Sequence, residues 1–199
     1  MKKILLTILA LILTLSMVSC ASANTKANAG KGAAAPKAEI SHNYVEYTDV
    51  LDNISFNIPD DWSVKEASVT LMVNKETGVG NNISIEFEAY DKANDPYKDM
   101  TAESFNDLFL NVFKAGGVQI SNVSVEPIKN SNNVEMTKVS FYSKNSSSPD
   151  LTQTMYFVLA GDFYYIVTVT EFEQDEDLKK TFEKSLKILT KTDSAIEAE

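Results

Sequence analysis

An α+β fold, an α/β/α sandwich with a central antiparallel sheet, follows from three features of the chain. Between Val118 and Thr170, four runs rich in β-branched and aromatic residues are separated by polar turns, the pattern of an antiparallel meander. Two other stretches, Phe105 to Phe113 and Leu178 to Leu189, space their apolar residues at helical intervals. The hairpin predicted at Gly161-Asp162 pairs Leu159 with Tyr164 and Phe157 with Ile166 on one face, and Val158 with Tyr165 and Tyr156 with Val167 on the other. Both faces are apolar, so the sheet needs cover on both sides.

Lys2 and Lys3 precede an apolar run from Ile4 to Leu15, and the segment ends Met17-Val18-Ser19-Cys20. A charged start, a short hydrophobic core and small residues before a cut describe a secretory signal, and the run is too short for a comfortable transmembrane span. The cysteine at the cut makes residues 1–19 resemble a bacterial lipoprotein signal peptide ending in a lipobox, with Met17 where leucine is usual. That resemblance implies cleavage before Cys20 and acylation of its thiol and new amine. An ordinary secretory peptide cut near Ala21-Ser22-Ala23 is the alternative. More than one acyl chain suffices for stable anchoring, since each buried methylene contributes about 0.8 kcal/mol. Cys20 is the chain's one cysteine, so no internal disulfide forms and a packed core must supply stability.

Residues 20–43 change to Ala, Gly, Lys, Asn and Ser, with no aromatic residue before Tyr44. They read as a flexible lipidated tether that buries too little apolar surface to offset its ordering entropy. As a coil of about 20 residues it holds the domain some 25 Å from the bilayer. His42, the only histidine, reads as a solvated residue at its end.

The folded domain spans residues 44–190, and 191–199 read as an acidic tail. Ile54 to Ile58, Val69 to Val73 and Ile83 to Tyr90 read as strands; their hairpins, with the helices, cover the sheet. Thr101 caps the first helix, whose face is Phe105, Leu108, Phe109, Val112 and Phe113, and Gly116-Gly117 stops it. Strands follow at Val118 to Val125, Val134 to Tyr142, Thr152 to Leu159 and Phe163 to Thr170. The last helix opens in the acidic run Glu171 to Asp177, which complements the helix dipole, and buries Leu178, Phe182, Leu186 and Leu189.

The string Ile54-Ser55-Phe56-Asn57-Ile58-Pro59-Asp60-Asp61-Trp62, followed by Tyr156 through Val167 and a closing helix ending Ser185-Leu186-Lys187, resembles the PsbP and Mog-type fold, which includes DcrB-like and other small bacterial lipoproteins. The resemblance extends over nearly the whole domain. It implies a largely non-enzymatic role: the plant member assists assembly of the oxygen-evolving complex, and Mog members bind a small GTPase. No functional residue of either matches a position here, and fold alone does not license function. Pro59 and Trp62 read as a fixed φ followed by a large anchor that closes the sheet edge over the core.

Composition narrows the chemistry. Without Lys2 and Lys3 the 18 cations fall to 16 against 28 carboxylates, a formal charge of −12, which repels anionic headgroups and nucleic acid. Each of these cations is a lysine and there is no arginine, so the bidentate fork used for phosphate is absent and no nucleic-acid partner is expected. With Cys20 acylated and His42 in the tether, the domain lacks the groups for Ser/His/Asp, Cys/His or histidine-based zinc sites. Carboxylate chemistry is left. Asp60-Asp61 is a candidate pair for hydrolysis, and Asp91, Asn94, Asp95 and Asp99 offer oxygen ligands suited to calcium without the order of an EF-hand; solvated loop carboxylates are the plainer reading of both. The glycines in Glu76 to Asn82 read as a hairpin turn rather than a phosphate loop.

The expectation is an exported, lipid-anchored envelope protein without enzymatic activity or cofactor, whose PsbP-like domain binds or assists assembly of another envelope protein. A small-ligand or calcium-binding lipoprotein, with Tyr44, Tyr47, Tyr90 and Tyr97 lining a cleft, is the alternative, and a carboxylate-dependent hydrolase the remote one. Ala21-Ser22 lacks the aspartate that retains enteric lipoproteins in the inner membrane, which leans towards the outer membrane or surface.

Overall fold

The computed structural model describes residues 42–78, 80–145 and 150–189. The signal segment, Cys20, the tether up to residue 41 and the acidic tail lie outside the described residues. The elements are β1 Tyr44–Thr48, β2 Ile54–Pro59, β3 Trp62–Lys65, β4 Thr70–Asn74, β5 Asn82–Ala89, α1 Ala102–Ala115, β6 Val118–Lys129, β7 Glu135–Asn145, β8 Leu151–Ala160, β9 Phe163–Glu171, α2 Glu176–Ser185 and β10 Lys187–Ile188.

A seven-stranded antiparallel sheet runs β3-β4-β5-β9-β8-β7-β6, and a three-stranded one runs β1-β2-β10. The α+β architecture is as the sequence predicts, and the β8–β9 register pairs Leu159 with Tyr164, Phe157 with Ile166, Val158 with Tyr165 and Tyr156 with Val167. Two cores result. One lies between the small sheet with α2 and the large sheet, where Phe56, Phe182, Tyr156, Tyr165 and Leu178 are buried; Trp62 packs there, 5% exposed, in the anchoring role expected of it. The other sits under α1, where Phe105, Phe109 and Phe113 meet Phe141, Met155 and Phe157.

Both helix starts have a local cause. Thr101 accepts from the Ser104 amide while Ser104 accepts from the Thr101 amide, a capping box. Gly117, at φ 72°, then turns the chain out of α1. The acidic run before α2 divides its roles: Glu171 ends β9, buried, and accepts the Asp175 amide at 2.8 Å, and Asp175 is the N-cap, accepting from Leu178. Glu176 and Asp177 occupy the first turn.

The structure corrects three expectations. Ile54 to Ile58 covers the large sheet as the centre of a small one, paired with β1, where no strand is expected from the sequence, whereas the strands at Val69 to Val73 and Ile83 to Tyr90 join the large sheet as β4 and β5 instead of covering it. The last helix stops at Ser185, because Leu186 turns to ψ 126° and the next residues pair with Ser55 and Ile54. Leu186 still reaches the core, fully buried, while Leu189 lies past the helix with its amide bonded to the Asn53 carbonyl. Asn130 and Asn132, from the β6–β7 turn, donate to the free carbonyls of Glu183, Lys184 and Leu186 and so close the helix end. His42 is not a solvated tether residue: its Nε2 lies 2.9 Å from Asp175 Oδ2, its side chain is 15% exposed, and its ring meets Tyr44 edge-on.

Candidate functional site

The large sheet carries a row of residues on its α1 face, Glu86–Ile166–Phe157–Thr137–Pro127, each opposite the next across β5, β9, β8, β7 and β6. A second row starts with Glu88–Tyr164–Leu159. The α1 helix covers the first row only as far as Phe157, which Phe109 meets at 6.1 Å. Beyond it the Tyr90 to Thr101 connection lays Tyr97 over Phe157 at 4.8 Å and edge-on to Tyr164 at 5.1 Å. What neither covers is an open groove of about 460 Å³, with Phe157, Leu159 and Thr137 as floor, Tyr97 and Tyr164 as one wall and the Lys129–Glu135 pair, 3.1 Å apart, at the other. Leu159 is 37% exposed there.

The wall is held by carboxylates. Asp91 accepts from the Ala93 amide and the Asn94 side chain. Asp95 accepts the Tyr97 and Lys98 amides through one oxygen and the Tyr164 hydroxyl, at 2.9 Å, through the other. Asp99 sits at φ 53°. The four residues read as calcium candidates therefore build this connection, Asp91 and Asp95 with both carboxylate oxygens engaged in its turns and Asn94 as a donor to Asp91. Among the described residues no group of three or more His, Cys, Asp or Glu is arranged to hold a metal ion.

Burial first, and the neighbouring Glu88 carboxylate second, push the Tyr97 hydroxyl above the ordinary tyrosine range; burial and Asp95 do the same to Tyr164. Both remain neutral donors. Glu86, in line with Ile166, is the anomaly. Burial, with added repulsion from Glu88, pushes its carboxyl up to about 7, so it holds its proton through the mildly acidic range.

The other sequence-derived candidates lie elsewhere. Asp60 and Asp61 form the exposed β2–β3 turn, where Asp61 accepts from the Asn74 side chain at 2.6 Å and the Asp60 carbonyl accepts from Lys75. Of the four tyrosines proposed for a cleft, only Tyr97 lines the groove; Tyr90 stands behind Tyr164 at 5.4 Å, Tyr47 is in the core against Phe56, and Tyr44 donates to Asp177 near α2. Sequence reasoning missed Glu86, Thr137, Leu159 and the Lys129–Glu135 rim as a site. A signal existed for Glu86, since β5 places a carboxylate in register with an apolar row.

No protein-family model and no curated protein sequence matches the chain. Solved structures do. The cyanobacterial PsbP protein (CyanoP) of Synechocystis sp. PCC 6803 is similar at TM-score 0.57 and 13% identity, over 80% of this chain and 99% of that one. The Ran-binding protein Mog1p of Saccharomyces cerevisiae is similar at TM-score 0.50 and 9% identity, over 74% of this chain and 96% of that one. At such identities the likeness is one of fold, and the fold of this chain is PsbP/Mog-like.

Proposed function

We propose that this protein is an exported lipoprotein, anchored to the cell envelope through Cys20, whose domain binds another envelope protein or assists its assembly without catalysing a reaction. The observation that carries the reading is the position of the groove. The chain enters the domain at His42, beside Asp175 and the Glu171 end of β9, while the groove opens at the Tyr164 end of that strand. The length of β9 separates them, about 25 Å at roughly 3.3 Å per residue. A domain tethered at one end would present its open surface at the other. The PsbP/Mog-like fold, with one solved relative described as Ran-binding, is compatible with a binding role, and an outer-membrane or surface location is favoured by the residues after Cys20.

The test is mild cross-linking and recovery of the full-length protein from intact cells, beside a Cys20→Ala variant and with metabolic labelling by an alkyne fatty acid. The expected result is fatty-acid label on the wild type alone, membrane release of the variant and one stoichiometric envelope partner. Equal labelling of both chains would refute the anchor, and recovery of the monomer alone would refute recruitment. A second reading, binding of a small ligand, is favoured by the groove's volume, which lies within the range of about 300–1,000 Å³ typical of ligand sites. A rise in thermal stability with a metabolite panel is its measurement.

A further inference from the structure

The groove is amphipathic along its length and uneven in charge across it. Its floor is apolar at Phe157 and Leu159, with Pro127 alongside. Its one lining cation, Lys129, is neutralised by Glu135. Beside the opposite wall stand two carboxylates: Asp95, which accepts the Tyr164 hydroxyl, and Glu88, close enough to act on the Tyr97 hydroxyl. Charges within about 8 Å of one another are incompletely screened at physiological salt, so this wall sets a negative potential over an apolar trough.

The fold also restricts how a chain can dock. Strand addition needs a free, regular edge. The β6 edge is interrupted where its register shifts between Ser121 and Ser124, around Asn122 at φ 55°, and again at Pro127, which has no amide hydrogen to offer. The opposite edge, β3, is four residues long. A visiting segment finds the face of the sheet easier to use than either edge. From β6 to β9 the trough crosses three strand spacings, about 14 Å, the span of four or five extended residues.

We propose that the groove docks a short, extended, basic segment of a partner protein, with apolar side chains on Leu159 and Pro127 and lysine or arginine side chains reaching the carboxylates beside the Tyr97 and Tyr164 wall. This rests on the recruitment reading above and names the partner chemistry it lacks. The Tyr164 ring adds to the recognition: its hydroxyl is held by Asp95 at 2.9 Å, which fixes this half-buried aromatic wall for cation–π contact. The groove opens at the end of the sheet away from His42, so the segment belongs to a part of the partner that stands in water rather than in the bilayer.

The test uses the full chain purified from membranes and two fluorescein-labelled peptides of equal length, one alternating lysine with leucine and tryptophan, the other with every lysine replaced by glutamate. The expected result is saturable binding of the basic peptide, weakened about tenfold or more by Leu159→Lys and by Thr137→Arg and weakened by added salt, with no binding of the acidic one. Asp60→Asn makes the same one-unit charge change as the groove substitutions but lies on the distant β2–β3 turn; it should leave affinity within about twofold. Thermal melts check that each variant folds, and the two groove positions are independent, so loss of one variant leaves the other decisive. Equal binding of both peptides, binding of neither, or indifference to both groove substitutions overturns the proposal. Repeating the cellular cross-linking with Leu159→Lys separates the two readings: a partner retained by this variant overturns the groove as its dock and leaves recruitment standing, while a partner lost together with peptide binding supports both.

Discussion

The two faces of the large sheet are finished differently. On the side of α2 and the small sheet the buried carboxylates have partners, although the Tyr47 hydroxyl has none among the described residues. Asp49 accepts three backbone amides, from Leu51, Asn53 and Ile54, together with the Tyr165 hydroxyl, and Glu171 meets the Asp175 amide and Lys179. On the α1 side the helix stops short, a tyrosine-bearing connection covers part of what is left, and Glu86 is desolvated beside a like charge. The sealed face supplies stability. The half-open face keeps apolar surface and charge available to something outside the chain, at a cost in folding energy.

Substitutions can break this contrast or sharpen it. The largest effect belongs to Phe182→Ala on the sealed face. Phe182 is fully buried, with Phe56 at 4.9 Å and Tyr156 at 4.7 Å, and its removal should cost about 4 kcal/mol in urea unfolding. A loss below about 1 kcal/mol would mean that this core relaxes and is not sealed. Next is Asp49→Ala, which strands three amides and a tyrosine hydroxyl and should cost about 3 kcal/mol by the same measurement.

Glu86→Gln tests the open face and has the opposite sign. Because the folded-state pKa is raised from 4.5 to about 7, the protonated carboxyl favours the folded state. That advantage is complete below about pH 4.5 and is lost as pH rises through 7. Unfolding at pH 4 and pH 8 should therefore show the variant equal to wild type, relative to their common baseline, at the lower pH, and stabilised by on the order of 2 kcal/mol at the higher one, a figure reduced for partial exposure. The smallest effect is Leu159→Ser, under about 1 kcal/mol, since much of that side chain is already in water. A large destabilisation there would show that Leu159 belongs to the core.

The β8–β9 hairpin and helix α1 were legible in the sequence, and the small sheet, the end of α2 and the groove were not. Alternation in Tyr156 to Val167 gives the hairpin register because side-chain period and turn position are both local. Helix α1 is equally local, through Thr101 and Gly117. The end of α2 misled because Leu186 continues the apolar spacing of Leu178 and Phe182 after the backbone has left the helix; the β6–β7 turn that closes the helix lies over fifty residues away. Strand β1 has only five residues and gains its meaning from β2. The groove depends on where α1 ends relative to Phe157 and on how Tyr97 crosses the sheet, which are relations between distant segments that no single stretch encodes.

The entry of the chain at His42 has a mechanical consequence. Strand β1 begins beside Asp175 and runs to Asp49, beside Tyr165 near the groove end of β9. If the domain is held at the groove and pulled through residue 42, tension runs along β1. The five residue pairs that join it to β2 are then loaded together in shear rather than peeled open in turn. The His42–Asp175 and Tyr44–Asp177 contacts bear the load first, so a partner tugging on the domain would strain the join between tether and fold before it disturbed either core.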